Sequence, residues 1–219
     1  MTARRGAAGL TGLVAAVLTV LVAARWGPLL RWDVRTDTAV HRAVLARSWL
    51  ADAARWGTHL GDPVVVTAAT VVVALIALRY AGRRAAVYLL AVRLVSAVFE
   101  SGLKAAVGRA RPVLSHPIDA AHGASFPSGH SLGSAALWAS LAVVVVAYRG
   151  RRSRVSTLAV ALAVAVPVLV AATRVLLGVH FVTDVVGGLC VGWLVALVVA
   201  EALPPARWVT PRLTRETPG

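Results

Sequence analysis

A single cysteine, Cys190, stands among 219 residues, which excludes an internal disulfide framework and a cysteine-built zinc site. Charge is scarce as well: 15% of the residues are Asp, Glu, Lys or Arg, against about 25% in soluble domains. Only 9 residues are acidic. These shortages exclude an acidic or disordered solvated chain and set the protein apart from an ordinary cytosolic globule. The sequence also lacks an internal repeat and any low-complexity tract. Its length fits one domain.

What the chain does hold is apolar surface and positive charge. Hydrophobic residues make up 58%, the mean hydropathy is +0.77, and 23 basic residues leave a net charge of +14. A basic excess suits either nucleic acid or an anionic membrane surface. The hydropathy selects the membrane, so a phospholipid bilayer is the expected partner and nucleic acid is not. A helix needs about 20 mostly apolar residues to cross the hydrocarbon core. Six stretches meet or approach that length: 7–24, 63–78, 85–107, 131–148, 155–177 and 179–200. The third carries Arg93, Glu100 and Lys104. Arg4 and Arg5 precede the first, as in a signal peptide, but its apolar run exceeds the roughly 7–15 residues of a signal core, and it reads as a span.

Basic residues between spans set the orientation. With the N-terminus in the cytoplasm, the cytoplasmic segments carry Arg4 and Arg5, then Arg79, Arg83 and Arg84, then Arg149, Arg151, Arg152 and Arg154, then Arg207, Arg212 and Arg215. Only Glu201 and Glu216 oppose them. The first outer loop holds six arginines, but it is long and Asp33, Asp37, Asp52 and Asp62 share it. Both termini are therefore expected inside. The long segment 33–56 is too polar to span; it is loosely amphipathic, and Trp26, Trp32, Trp49 and Trp56 fit an aromatic belt. It reads as an outer-side interfacial helix between the first two spans, lying on the leaflet or packed on the bundle. The expected architecture is an all-α integral membrane protein, a bundle of six transmembrane helices with both termini cytoplasmic. It forms a single domain over 1–219 with a basic cytoplasmic tail at 204–219.

Three groups of polar residues sit where a span has no structural need of them. Lys104, Arg109 and Arg111 stand at the outer end of the third span, Phe126-Pro127-Ser128-Gly129-His130 opens the fourth, and Thr173, Arg174, His180 and Asp184 flank the last outer turn. Charges at membrane depth cost several kcal/mol unless paired or solvated, which makes them functional candidates. The arginine count places all three groups on the outer side without using their identities. Their chemistry suits phosphate. Lys104, Arg111 and Arg174 offer three cations, two of them planar forks that match phosphate oxygens. Ser128 and Gly129 precede a helix whose first N–H groups favour an anion. His130 and His180 come from different helices and can flank a bound phosphorus. Asp184 follows His180 by four residues, one helical turn, where a carboxylate orients an imidazole.

These residues resemble the signature of the type 2 phosphatidic acid phosphatases, integral membrane lipid phosphatases of the haloperoxidase-like superfamily. The three parts read here as Lys104 to Arg111-Pro112, Pro127-Ser128-Gly129-His130, and Thr173-Arg174 to His180 to Asp184. All spacings fit, with Thr173 standing where serine is usual. The motif core covers 104–184 within a membrane-embedded phosphatase domain. The resemblance implies that His180 is the nucleophile, forming a phosphohistidine, that Asp184 orients it, and that His130 protonates the leaving group. It implies phosphate binding by Lys104, Arg111, Ser128, Gly129 and Arg174, with no metal and no other cofactor. The implied reaction is hydrolysis of a lipid phosphate or pyrophosphate at the extracytoplasmic face of the plasma membrane. Typical substrates would be undecaprenyl pyrophosphate, phosphatidic acid or phosphatidylglycerol phosphate.

Three other readings compete. A metal could use His130, His180 and Asp184, with His116 and His122 nearby, but the neighbouring cations would repel it. A non-catalytic lipid-phosphate binding or transport protein would want its polar residues near the midplane. A vanadium haloperoxidase has a similar site, but those enzymes are soluble and larger. Outside the motifs, Glu100 lies one turn before Lys104 and is expected to pair with it, while Arg93 is expected to find a partner across helices. The oligomeric state is not legible.

Overall fold

The computed structural model describes residues 2–114 and 117–204. Its elements are α1 (Thr2–Ala23), α2 (Gly27–Leu45), α3 (Ser48–Thr58), a 3-10 turn (His59–Gly61), α4 (Pro63–Tyr80), α5 (Arg83–Val107), α6 (Gly129–Arg149), α7 (Arg154–Leu176) and α8 (Val182–Ala202). No strand occurs among the described residues. Six helices, α1 and α4 to α8, are long and apolar enough to cross a membrane. His116 and the tail arginines Arg207, Arg212 and Arg215 lie outside the described residues.

Local chemistry sets the helix ends. Asp62 opens α4 by accepting from the Val64 N–H at 2.8 Å, with Pro63 in the first turn where its missing N–H costs nothing. Ser153 opens α7 in the same way. The third span tolerates its charges because each has a partner. Arg93 Nε donates to Thr67 Oγ1 of α4 at 2.9 Å, and Lys104 Nζ donates to Glu100 Oε1 at 2.6 Å. Both pairings anticipated in the sequence are thereby met.

Two departures from expectation bear on the site. The last span was expected from 179 but α8 starts at Val182, because Gly178 turns the chain at φ +69° and the Asp184 carboxylate caps the helix by accepting from Phe181 N–H at 2.9 Å. His180 accordingly lies in the turn before α8, not on its face. The interfacial segment forms two helices rather than one, broken at Ala46 and Arg47. Both pack on the bundle, α3 on α7 and α2 on α7 and α8. Asp33, Asp37, His41 and Val44 face inward from α2, while Trp26, Trp32, Trp49 and Trp56 stay exposed.

The core is built around α6 and α8, the two most buried spans. Their closest approach depends on missing side chains: a Cβ at Gly188 would stand 2.6 Å from the Ser128 carbonyl, and one at Gly192 would stand 2.8 Å from the Ala135 Cβ. Small residues let helix backbones meet where lipid supplies no hydrophobic drive. Around this pair, Leu89, Val92, Leu132, Val191 and Val195 close the interior, and Tyr88 donates to the Ala196 carbonyl at 2.9 Å. Short turns reverse the chain between α4 and α5, α6 and α7, and α7 and α8. Arg4, at the start of α1, pairs with Glu201 near the end of α8 at 2.6 Å. One end of the bundle therefore holds the start of α1, the end of α8 and the arginine-bearing turns. The opposite end gathers the end of α5 and the starts of α6 and α8.

Candidate active site

The turn before α8 supplies the centre of this second end. His180 is buried, and its ring is addressed from both sides. On one side Arg111 Nη1 lies 3.0 Å from His180 Nε2. On the other, His180 Nδ1 lies 3.4 Å from Ser125 Oγ and 3.6 Å from Asp184 Oδ2. A guanidinium can only donate, so Nε2 must accept, which leaves the ring hydrogen on Nδ1. Ser125 gives its own hydrogen to Asp184 Oδ2 in a short hydrogen bond, so its oxygen is free to accept from Nδ1. The tautomer thus follows from the donors around the ring: Nε2 carries the lone pair. Burial pushes the His180 imidazole down to about 4 against the opposing pull of Asp184, so the ring is neutral near pH 7.

Arg111 is held in place by backbone. Its Nη1 also donates to the Val179 carbonyl at 2.8 Å, and its Nε and Nη2 reach the carbonyls of Gly123 and His122 at 3.1 Å each. These carbonyls orient the fork without neutralising it. Burial works against the Arg111 charge, and Asp184 works for it. Arg174, in the last turn of α7, is buried; its Nη1 donates to Thr58 Oγ1 at 2.8 Å while its Nε has no partner among the described residues. A buried guanidinium with an unused donor is a ready anion ligand.

Ser128 and His130 come from the start of α6. Ser128 is its N-cap, and its N–H donates to the Asp184 carbonyl at 3.0 Å, which ties the second and third motifs together through backbone. Its Oγ accepts from Ser131 Oγ at 3.1 Å. His130 stands in the first turn, packed by the 3-10 turn at Gly61, within electrostatic range of Arg174, Asp62, His180 and Lys104. The Lys104 and Glu100 pair lies at the same helix start: a Cβ at Gly129 would stand 2.8 Å from the Glu100 carboxyl carbon. Gly129 therefore leaves room for a carboxylate beside the first N–H groups of α6, where an anion is favoured.

The structure thus gathers His130, His180, Asp184, Lys104, Arg111, Ser128, Gly129 and Arg174 at one end of the bundle. His122 contributes its carbonyl to Arg111 and its ring is exposed. Among the described residues no three His, Cys, Asp or Glu side chains form a metal-ligand set. Sequence reading missed Ser125, Thr58 and Asp33. Ser125 lies two residues before the second motif, and Asp33 shares a helix face with Asp37 and His41, a polar stripe at helical spacing that signals burial against something polar. Thr58 carried no signal.

Comparison with known proteins bears on the family and the fold. The sequence model of the PAP2 superfamily matches residues 83–208. Phosphatidylglycerophosphatase B of Bacillus subtilis is 30% identical over 165 residues, which cover 74% of this chain and 81% of that protein. The crystal structure of a transmembrane PAP2 type phosphatidylglycerolphosphate phosphatase from Bacillus subtilis superposes with a TM-score of 0.78 at 26% identity, covering 87% of this chain and 94% of that one. With the family match spanning more than half of the sequence and the same helical architecture over 87% of the chain, the protein belongs to the PAP2 superfamily and is a membrane-spanning phosphatase.

Proposed function

We propose that the protein hydrolyses a lipid phosphate or pyrophosphate without a metal ion, at the extracytoplasmic face of the plasma membrane, through a phosphohistidine on His180. The observation that carries this reading is the lone pair of His180 Nε2, set toward Arg111 with the ring hydrogen on the Asp184 side. A bound phosphate would take the place of the ring nitrogen as the partner of Arg111. The freed lone pair then attacks phosphorus: the N–P bond forms as the P–O bond to the lipid breaks. His130 gives its proton to the departing oxygen, and Asp184 stabilises the positive charge that grows on the imidazole. In the second half His130 takes a proton from water, which attacks phosphorus, breaks the N–P bond and releases inorganic phosphate. Lys104, Arg111 and Arg174, with Ser128 and the Gly129 N–H, hold the three equatorial oxygens, the stabilisation that phosphoryl transfer chiefly requires. Three cations supply the charge that a divalent ion brings in other phosphatases.

A site at one end of the bundle can take a polar head group while the tail remains in lipid. A carrier or transport role would ask for polar groups at the midplane, and these lie at the helix ends. The candidate substrates are phosphatidylglycerol phosphate, phosphatidic acid and undecaprenyl pyrophosphate; the names of the Bacillus relatives favour the first. The test is phosphate release by detergent-purified protein in EDTA over these lipids and a water-soluble phosphate ester. Release that His180→Ala abolishes is expected, and the rank order names the substrate. Full activity in folded His180→Ala protein would overturn the nucleophile, and activity lost in EDTA but restored by a divalent metal would overturn the metal-free reading.

A further inference from the structure

A buried ionic bridge joins α2 to the Asp184 carboxylate, and no step of the reaction above uses it. Asp33, fully buried on α2, accepts from the Thr183 N–H at 3.2 Å through Oδ1. Its Oδ2 accepts from Thr183 Oγ1 and from Arg109 Nη2 at 2.7 Å. The other end of the same guanidinium donates through Nη1 to Asp184 Oδ1 at 2.7 Å and to Thr183 Oγ1 at 2.7 Å. The Arg109 plane also lies against the Phe181 ring, with Cζ 4.2 Å from its centroid. Arg109 thus has a carboxylate on each tip of its fork and an aromatic face below it.

The bridge decides which edge of Asp184 faces His180. With Oδ1 taken by Arg109, only Oδ2 remains for Phe181 N–H, Ser125 and the imidazole. An arginine held on one tip alone could swing; held on both, it cannot. A buried cation facing Asp184 alone would also draw charge from the carboxylate that must support a growing imidazolium, and Asp33 counters that pull. We propose that Asp33, carried by the interfacial helix α2, is a positioning residue for the reaction, fixing Arg109 so that Asp184 presents Oδ2 to His180. This inference rests on the reading of Asp184 as the orienting carboxylate of His180. Asp33 lies outside the 83–208 match, so α2 becomes a working part of the site rather than a connector.

A double-mutant cycle separates positioning from scaffolding, because residues that act through one another are non-additive. Asp33→Asn keeps the shape of the side chain and removes its charge. It is expected to lower kcat about tenfold or more while KM stays within about twofold. In an Asp184→Asn background the same substitution should change kcat by less than about twofold, since there is no carboxylate left to orient. Thr183→Val, which removes only the bridging hydroxyl at constant shape, should follow the same pattern with a smaller loss and covers the case in which Asp33→Asn fails to fold. An unchanged kcat for folded Asp33→Asn would overturn the proposal, as would equal losses in both backgrounds, the mark of a structural role. If Asp184→Asn alone leaves kcat intact, the reading of the site itself has failed and this inference falls with it.

Discussion

At the scale of single residues, the site shows how donors around a ring can set its chemistry. His180 owes its tautomer to a neighbour that cannot accept a hydrogen bond and its neutrality to burial. Spacing alone placed Asp184 one turn from His180, as if both rode a helix face. They meet instead across the start of α8, where the same carboxylate oxygen caps the Phe181 N–H. The contact was legible, but its means was not, because a four-residue interval is short enough to close in more than one backbone conformation. Glu100 and Lys104 were fully legible, since both lie within one regular helix. Their pair yields a prediction. Glu100→Gln leaves Lys104 without its carboxylate, and both side chains are partly exposed, so the effect should be modest. A threefold to tenfold fall in kcat/KM, to be read from initial rates over a range of lipid concentrations, is the expected order for a partly solvated pair (roughly 0.2–1 kcal/mol, with some loss of orientation added). Unchanged kinetics would mean that the pair does not position Lys104.

At the scale of elements, the apolar runs announced the spans, and the small residues of α6 and α8 explain why those two form the centre. What the sequence could not show is which partner the inward face of a polar connector meets. Asp33 and Arg109 are 76 residues apart, and no local pattern specifies such a pairing. The same inward face carries Asp37, one turn beyond Asp33, whose Oδ1 has no hydrogen-bond partner among the described residues. Burial, reinforced by the charges of Asp33 and Asp184, pushes the Asp37 carboxyl up to about 6. The folded protein therefore holds that proton more tightly than the unfolded chain does. This contribution to stability is complete below about pH 4 and is lost as the pH rises through about 6. Above that range α2 carries a buried carboxylate with too few donors, at a cost on the order of 2 kcal/mol. Asp37→Asn should then raise the thermal midpoint in detergent by several degrees at pH 8 and leave it nearly unchanged at pH 4. An equal shift at both values would place the effect in packing rather than in ionisation.

At the scale of the whole molecule, the arginines of the motifs differ from those of the turns at the opposite end of the bundle. The arginines within the motifs are held by protein groups, Arg109 by two carboxylates, Arg111 by carbonyls and Arg174 by a threonine, while those of α2 and α3 at the same end, such as Arg31, Arg35 and Arg42, are exposed. The turns at the other end carry arginines that are mostly exposed, as cations facing an anionic leaflet would be. Short, almost purely basic turns stay in the cytoplasm, and the turns at that end are of this kind, which supports a site that faces away from it. Sidedness can be read with one pair of reporters in a Cys190→Ala background, the native cysteine being buried. Asp119→Cys sits in the exposed loop beside the site, and Arg151→Cys sits in the exposed turn between α6 and α7. In intact cells a membrane-impermeant maleimide should label the first at once and the second only after permeabilisation. The reverse pattern would turn the bundle over and require a cytoplasmic supply of substrate. Because an even number of spans returns the chain to the side where it began, a result for these two positions also fixes the start of α1 and the end of α8. The Arg4–Glu201 pair already holds those ends together.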